Sequence, residues 1–157
     1  VSRPAWVEID LAQLRHNFER IDADKPQHLK LLCVVKDNAY GHGAVEVARA
    51  AIEAGAVYLA TVTVDEALEL RQSKISAPIL VLGERTGAEL ETCAAYHLTP
   101  CINDARKAKT FSDIARQQRQ RLTFHIEIDT GMSRYGVRWS QAMPAIAELA
   151  NFENLIL

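Results

Sequence analysis

The sequence predicts an α/β fold of parallel strands covered by helices, part of a (β/α)8 TIM barrel with about five and a half βα units. Apolar runs alternate with helical patterns in a steady order. The runs are continuous, as in strands that are covered on both sides. Polar residues end the first and fifth runs, and barrel enzymes place their chemistry at the C-terminal ends of strands. An open doubly wound sheet competes with this reading, but "YGHG" after the first strand does not fit the phosphate-binding pattern G-x-G-x-x-G.

The elements follow in order. In "DLAQLRHNFER", Leu11, Leu14 and Phe18 fall at helical spacing. Leu29–Val35 reads as the first strand and leads to a helix near Ala44–Ala54. Val57–Thr63 is the second strand, followed by a helix near Val64–Gln72. "APILVLG" is the third strand, followed by a helix around Ala88–Tyr96. "HLTPCI" leads to a helix near Ala105–Arg119, and "LTFHIEID" to a last helix over Gln141–Ala150. The final "NLIL" looks like the opening of a sixth strand. Gly55, Gly83 and the Asn103-Asp104 pair supply turn and cap chemistry.

A chain of 157 residues, 48% hydrophobic with a formal net charge of -2, suits one globular domain and lacks a nucleic-acid-binding composition. Its apolar runs fall short of the roughly 20 residues of a membrane span, and the N-terminal stretch has no signal-peptide layout. The expectation is a cytoplasmic protein. Cys33, Cys93 and Cys101 lack C-x-x-C spacing, so buried free thiols are expected, with no metal site. The chain opens on Val1 and stops inside an apolar run, which reads as a piece of a longer protein.

Two strand ends carry candidate chemistry. In "CVVKDNAYGHG", strand alternation puts Lys36 on the face of Leu32 and Val34, where it would cap an inward-facing apolar column. A lysine just past a strand end that reaches solvent is the plain alternative. Partial withdrawal from water disfavours an ammonium's charged form, and a free amine can attack a carbonyl to form a Schiff base. In "FHIEIDTGMSRYG", Phe124, Ile126 and Ile128 point one way, and His125, Glu127 and Asp129 the other. A buried Glu127 needs a cation, and Arg134, returning after the Thr130-Gly131 turn, is the candidate. A solvated edge strand with a surface ion pair is the competing reading.

"VVKDNAYGHG" at residues 34–43 and "IDTGMSRYGV" at residues 128–137, in this order, resemble the N-terminal barrel portion of the alanine racemase family. These are pyridoxal-phosphate enzymes of fold-type III. "RPAWVEIDLAQLRHN", "DEALELR" and "PILVLG" extend the resemblance through essentially the whole chain. The resemblance implies that residues 1–157 are the N-terminal portion of a barrel domain, with the remaining barrel and a C-terminal β domain absent. It makes Lys36 the lysine that carries pyridoxal 5'-phosphate and handles the Cα proton on one face of the substrate. It makes Tyr40 a contact to the cofactor phosphate, and Arg134 the arginine near the cofactor's phenolic oxygen and the substrate carboxylate. His42, Gly41 and Gly43 are assigned to turn geometry and helix entry.

Many members of the family carry a carbamylated lysine at the position of Glu127. Here a carboxylate stands there directly, and Glu127 is expected to orient Arg134. The resemblance further implies an amino-acid substrate, alanine by default for cell-wall precursor supply, and a homodimer when full length. The opposite-face base is a tyrosine of a partner subunit's C-terminal domain, so the isolated fragment is expected to be inactive. A serine or broad-specificity racemase, a non-catalytic pyridoxal-phosphate-binding module, and a non-catalytic truncated chain that associates with another remain as alternatives.

Overall fold

A computed structural model describes residues 5–157; Val1–Pro4, including the start of the "RPAWVEIDLAQLRHN" stretch, lie outside the described residues. The chain order is α1 (Leu11–Asp24), β1 (Leu31–Val34), a single helical turn α2 (Lys36–Tyr40) and α3 (Ala44–Glu53). Then come β2 (Ala56–Thr61), α4 (Val64–Gln72), β3 (Ile79–Val81), α5 (Gly87–Ala95) and β4 (Thr99–Pro100). They are followed by α6 (Ala105–Gln117), β5 (Leu122–Thr123), β6 (Ile128–Asp129), β7 (Val137–Arg138), α7 (Ala142–Leu149) and β8 (Leu155–Ile156).

The strands β1-β2-β3-β4 pair in chain order, all parallel. A parallel bridge between Cys101 and His125 carries the arc onward to β5, which pairs in parallel with β8. Sequential parallel pairing with a helix in each crossover is the arrangement expected of a barrel segment.

Successive residues of each strand face opposite sides. One side packs on the helices: Val35, Leu59, Ile79, Val81, Ile102 and Phe124 are buried in one large core with Leu70, Leu90 and Phe111. Alanines 48 and 51 of α3, with no accessible surface, let that helix lie close to the strands. The other side is the open one. Ala60, Leu80 and Cys101 form a small cluster there with Tyr58 and Leu82 around them, while Leu32 and Val34 remain 41% and 39% exposed. The Tyr58 and Thr99 hydroxyls meet at 2.6 Å across this side.

Local chemistry sets the boundaries. Asp10, Thr63, Thr86 and Asp104 each accept a backbone N–H of the first turn of the helix they precede. At the other end of α4, Arg71 donates to the carbonyls of Ile75, Ala77, Tyr96 and His97, tying two helix-to-strand connections together.

The expected strand over residues 122–129 is interrupted. Beyond His125 the Glu127 amide donates to the Asn103 side chain at 2.8 Å, leaving the ladder, and the chain pairs next as β6 with β7. The last helix enters through a 3-10 turn, Trp139–Gln141, before α7. Cys33, Cys93 and Cys101 are free and buried. Among the described residues no helix is long and apolar enough to cross a membrane, and no group of His, Cys, Asp or Glu is arranged to hold a metal ion.

Candidate active site

Lys36 leaves β1 on the open side, since Cys33 and Val35 beside it in sequence are turned to the helices. The chain then winds left-handed: Asp37, Asn38 and Ala39 sit at φ 51 to 53° and ψ 44 to 45°, and Tyr40 at φ 56°. Such backbone costs about 1–2 kcal/mol per L-residue, so a run of it persists only where surroundings hold it. Asp and Asn tolerate it best, and Gly41 at φ 88° continues it without a Cβ.

Several bonds hold this turn. The Ala39 amide donates to the Val35 carbonyl at 3.0 Å, and the Gly43 amide to the Asn38 carbonyl at 3.0 Å. The Asn38 side chain accepts the Ala44 amide at 2.8 Å, capping α3. Glu66 of α4 accepts the Asp37 amide at 2.7 Å. His42 Nδ1 lies 2.9 Å from the Ala39 carbonyl, within the turn, in keeping with a structural part. The Lys36 side chain is 28% exposed, with its ammonium 3.9 Å from the Asp37 carboxylate and 5.6 Å from the centre of the Tyr40 ring. Tyr40 itself is exposed.

A second group of polar residues stands at the ends of the third to fifth strands. Arg85 Nε, Asn103 Nδ2 and Glu127 Oε2 are buried without a hydrogen-bond partner. The rest of the Arg85 guanidinium donates to Glu89 at 3.1 Å and to the Leu82 carbonyl at 3.0 Å. Burial above all, with the Glu127 charge, pushes the Cys101 thiol up to about 11, while Arg85 acts in the opposite direction. Burial also pulls His125 below its ordinary value, favouring a neutral ring, which lies 5.8 Å from the Tyr58 ring.

The segment after β6 folds back over this group. Asp129 accepts the Gly131 and Ser133 amides at 2.9 Å each; the Ser133 bond leads in holding its carboxyl below the usual range. Val137 donates to the Glu127 carbonyl at 2.8 Å. Only glycine fits at 136, where a Cβ would meet that carbonyl oxygen at 2.7 Å. Tyr135 lies against Gly83, 3.8 Å from where a Cβ would be.

The structure brings Lys36 and Tyr40 together on the left-handed turn. It leaves Arg134 exposed to solvent, and the expected Glu127–Arg134 ion pair is absent among the described residues. The reason is local: the Asp129-capped turn carries Arg134 outward before Gly136 brings the chain back to Glu127. The sequence reading missed Glu66, Asn38, Asn103 and Arg85. The pattern Thr63-x-x-Glu66 announces a capping box, yet not the bond to Asp37.

The chain matches the family model "Alanine racemase, N-terminal domain" over residues 9–157. It is 39% identical over 153 residues to an alanine racemase of Carboxydothermus hydrogenoformans, covering 98% of this chain and 41% of that protein. The structure superimposes on alanine racemase of Clostridium difficile 630 with a TM-score of 0.91 at 34% identity, covering 100% of this chain and 41% of that one. A histidine racemase from Leuconostoc mesenteroides subsp. sake is similar at a TM-score of 0.80 and 28% identity, covering 93% and 39%. The chain thus spans about two fifths of the length of the relatives it matches. Members of the alanine racemase family depend on pyridoxal phosphate. Because the family match takes in nearly the whole chain, the chain belongs to the alanine racemase family, within its N-terminal domain.

Proposed function

We propose that the full-length protein is a cytoplasmic, homodimeric amino-acid racemase that interconverts L- and D-alanine for cell-wall precursor supply, and that this chain is the portion carrying its cofactor. The observation that supports this best is the presentation of Lys36 and Tyr40 by one left-handed turn at the end of β1, on the open side of the sheet. An amine, a phenol and a guanidinium are the donor set that an aldehyde bearing a phosphate and a phenolic oxygen calls for. The turn fits the group, with the amine of Lys36 partly sheltered and the Tyr40 ring exposed beside it.

In this reading Lys36 would hold pyridoxal phosphate covalently, the Tyr40 hydroxyl would donate a hydrogen bond to its phosphate, and Arg134 would serve the phenolic oxygen and the substrate carboxylate. When bound, pyridoxal phosphate supplies the electron sink that makes the Cα–H bond of an amino acid acidic. Once the substrate's amine has replaced Lys36 on the cofactor, the freed Lys36 amine would take or return the Cα proton on one face. One amine does not serve both faces, so the second base comes from outside this chain. Arg134 is exposed here, so this role requires the exposed 130–135 segment to bring it inward.

Substrate breadth is a second reading, favoured by the similarity to a histidine racemase. Both readings are tested by measuring turnover of the full-length protein with L-alanine, D-alanine, L-serine and L-histidine. The proposal expects the highest kcat/KM for the two alanine enantiomers. A higher value for another amino acid reassigns the substrate, and bound cofactor without any turnover overturns the enzymatic reading.

A further inference from the structure

We propose that Glu66 is a positioning residue for Lys36: its carboxylate reaches from the neighbouring βα unit to pin the amide of Asp37, the residue after the lysine, and so sets where the amine stands. This rests on Lys36 being the cofactor-bearing lysine.

Two helices of the chain begin with the same motif, and their comparison isolates the effect. In Thr63-x-x-Glu66 the Thr63 hydroxyl accepts the Glu66 amide, while Glu66 Oε2 accepts the amides of Val62 and Thr63 at 3.0 Å each. In Thr86-x-x-Glu89 the Thr86 hydroxyl accepts the Glu89 amide, and Glu89 Oε2 accepts the Thr86 amide at 2.7 Å. Either cap is complete with one carboxylate oxygen. The second oxygen of Glu89 takes the guanidinium of its own neighbour, Arg85. That of Glu66 instead crosses 29 residues of sequence to the Asp37 amide, at 2.7 Å.

The bond meets the chain where it needs holding. Asp37 is the first residue of a left-handed run of non-glycine residues, which pays strain at each step. Asn38 secures the far end by capping α3 from within the same segment. Glu66 secures the near end from a different strand's end, and a bond to a charged acceptor is among the stronger ones. Partial burial pushes the Glu66 carboxyl up, but the bonds from Thr63, Asp37 and Val62 together outweigh it and hold it below the ordinary value. The carboxylate is therefore the form present at neutral pH. Proton transfer at Cα tolerates little error, since a misplacement of about 1 Å costs on the order of a hundredfold in rate.

The test compares Glu66→Gln, Glu66→Ala and Glu89→Gln in the full-length holo-protein. Readouts are hydrogen exchange of residues 36–44, borohydride trapping at Lys36, and kcat and KM separately. Both Glu66 variants should exchange faster in residues 36–44 and lose about tenfold to a hundredfold in kcat, with KM changed less. Glu66→Gln keeps the side chain's shape and remains informative if Glu66→Ala does not fold. Glu89→Gln should lower the melting temperature, yet leave exchange in residues 36–44 at the wild-type rate. The proposal is overturned if Glu66→Gln lowers the melting temperature as Glu89→Gln does while exchange at 36–44 and kcat stay at wild-type values. If borohydride labels a lysine other than Lys36 in the wild type, the assignment of Lys36 falls and the positioning role falls with it. Wild-type labelling at Lys36 beside unchanged Glu66 variants sinks the positioning role alone.

Discussion

The two sides of the sheet are made by the same strands and differ in what they do. Toward the helices, Val35, Leu59, Ile79, Val81, Ile102 and Phe124 are almost without accessible surface and join one continuous core. On the open side, Leu32 and Val34 are still substantially exposed, Tyr58 and Thr99 share a hydroxyl contact, and Lys36, His125 and Glu127 follow at or near the strand ends. One side carries the core and the other the residues to which the chemistry is assigned by proposal. Alternation at a period of two makes this possible, since neighbouring residues of one strand serve opposite purposes without sharing surroundings.

The largest effect that tests this division is on the helix side. Phe111 of α6 is fully buried, so Phe111→Ala should cost about 3–5 kcal/mol in denaturant unfolding. A loss below about 1 kcal/mol would show that the helices are not what holds the strands.

Acid sharpens the comparison with a smaller, local effect. Glu66 and Asp129 have carboxyls held below their ordinary values, so their contributions are present above the unfolded carboxylate range of about 3.9–4.3 and are lost as pH falls through the lower folded values. Protection of amides relative to their intrinsic exchange rate should therefore fall around Asp37 and around Gly131–Ser133 as pH drops below about 4, before the helix-side core opens. Simultaneous loss of protection everywhere would contradict two separately held regions.

Much of the fold was legible because β1, β2 and β3 are short apolar runs and α1, α4, α5 and α6 carry their own start signals. The start of α4 at Val64 coincides with the Thr63-x-x-Glu66 capping box, a signal present in the sequence. The break after His125 was not legible, because it depends on the Asn103 side chain capturing the Glu127 amide across 24 residues of sequence.

Within the candidate site, alternation through β1 made the side taken by Lys36 readable, but it does not extend to Glu127, which lies past the point where the chain leaves the ladder. The left-handed turn was not readable, because Ala39 and Tyr40 carry no propensity for it and adopt it under bonds from Glu66, Val35 and Asn38. Spacing likewise suggested that Arg134 returns to Glu127. The turn capped by Asp129 and the close approach of Gly136 send it outward, and neither is visible in a count of residues.

The smallest expected change in stability belongs to Lys36, whose removal leaves the helix-side core untouched. Lys36→Ala should unfold within about 0.5 kcal/mol of the wild type, as substitutions away from packed features do. Its chemistry should vanish, which gives the most direct test of the central claim. Borohydride reduction of the full-length protein with pyridoxal phosphate, followed by peptide mapping, should place the adduct on the peptide containing Lys36, and Lys36→Ala should yield none there while staying folded. An adduct on Lys30 or another lysine, with Lys36 unmodified, would contradict the account.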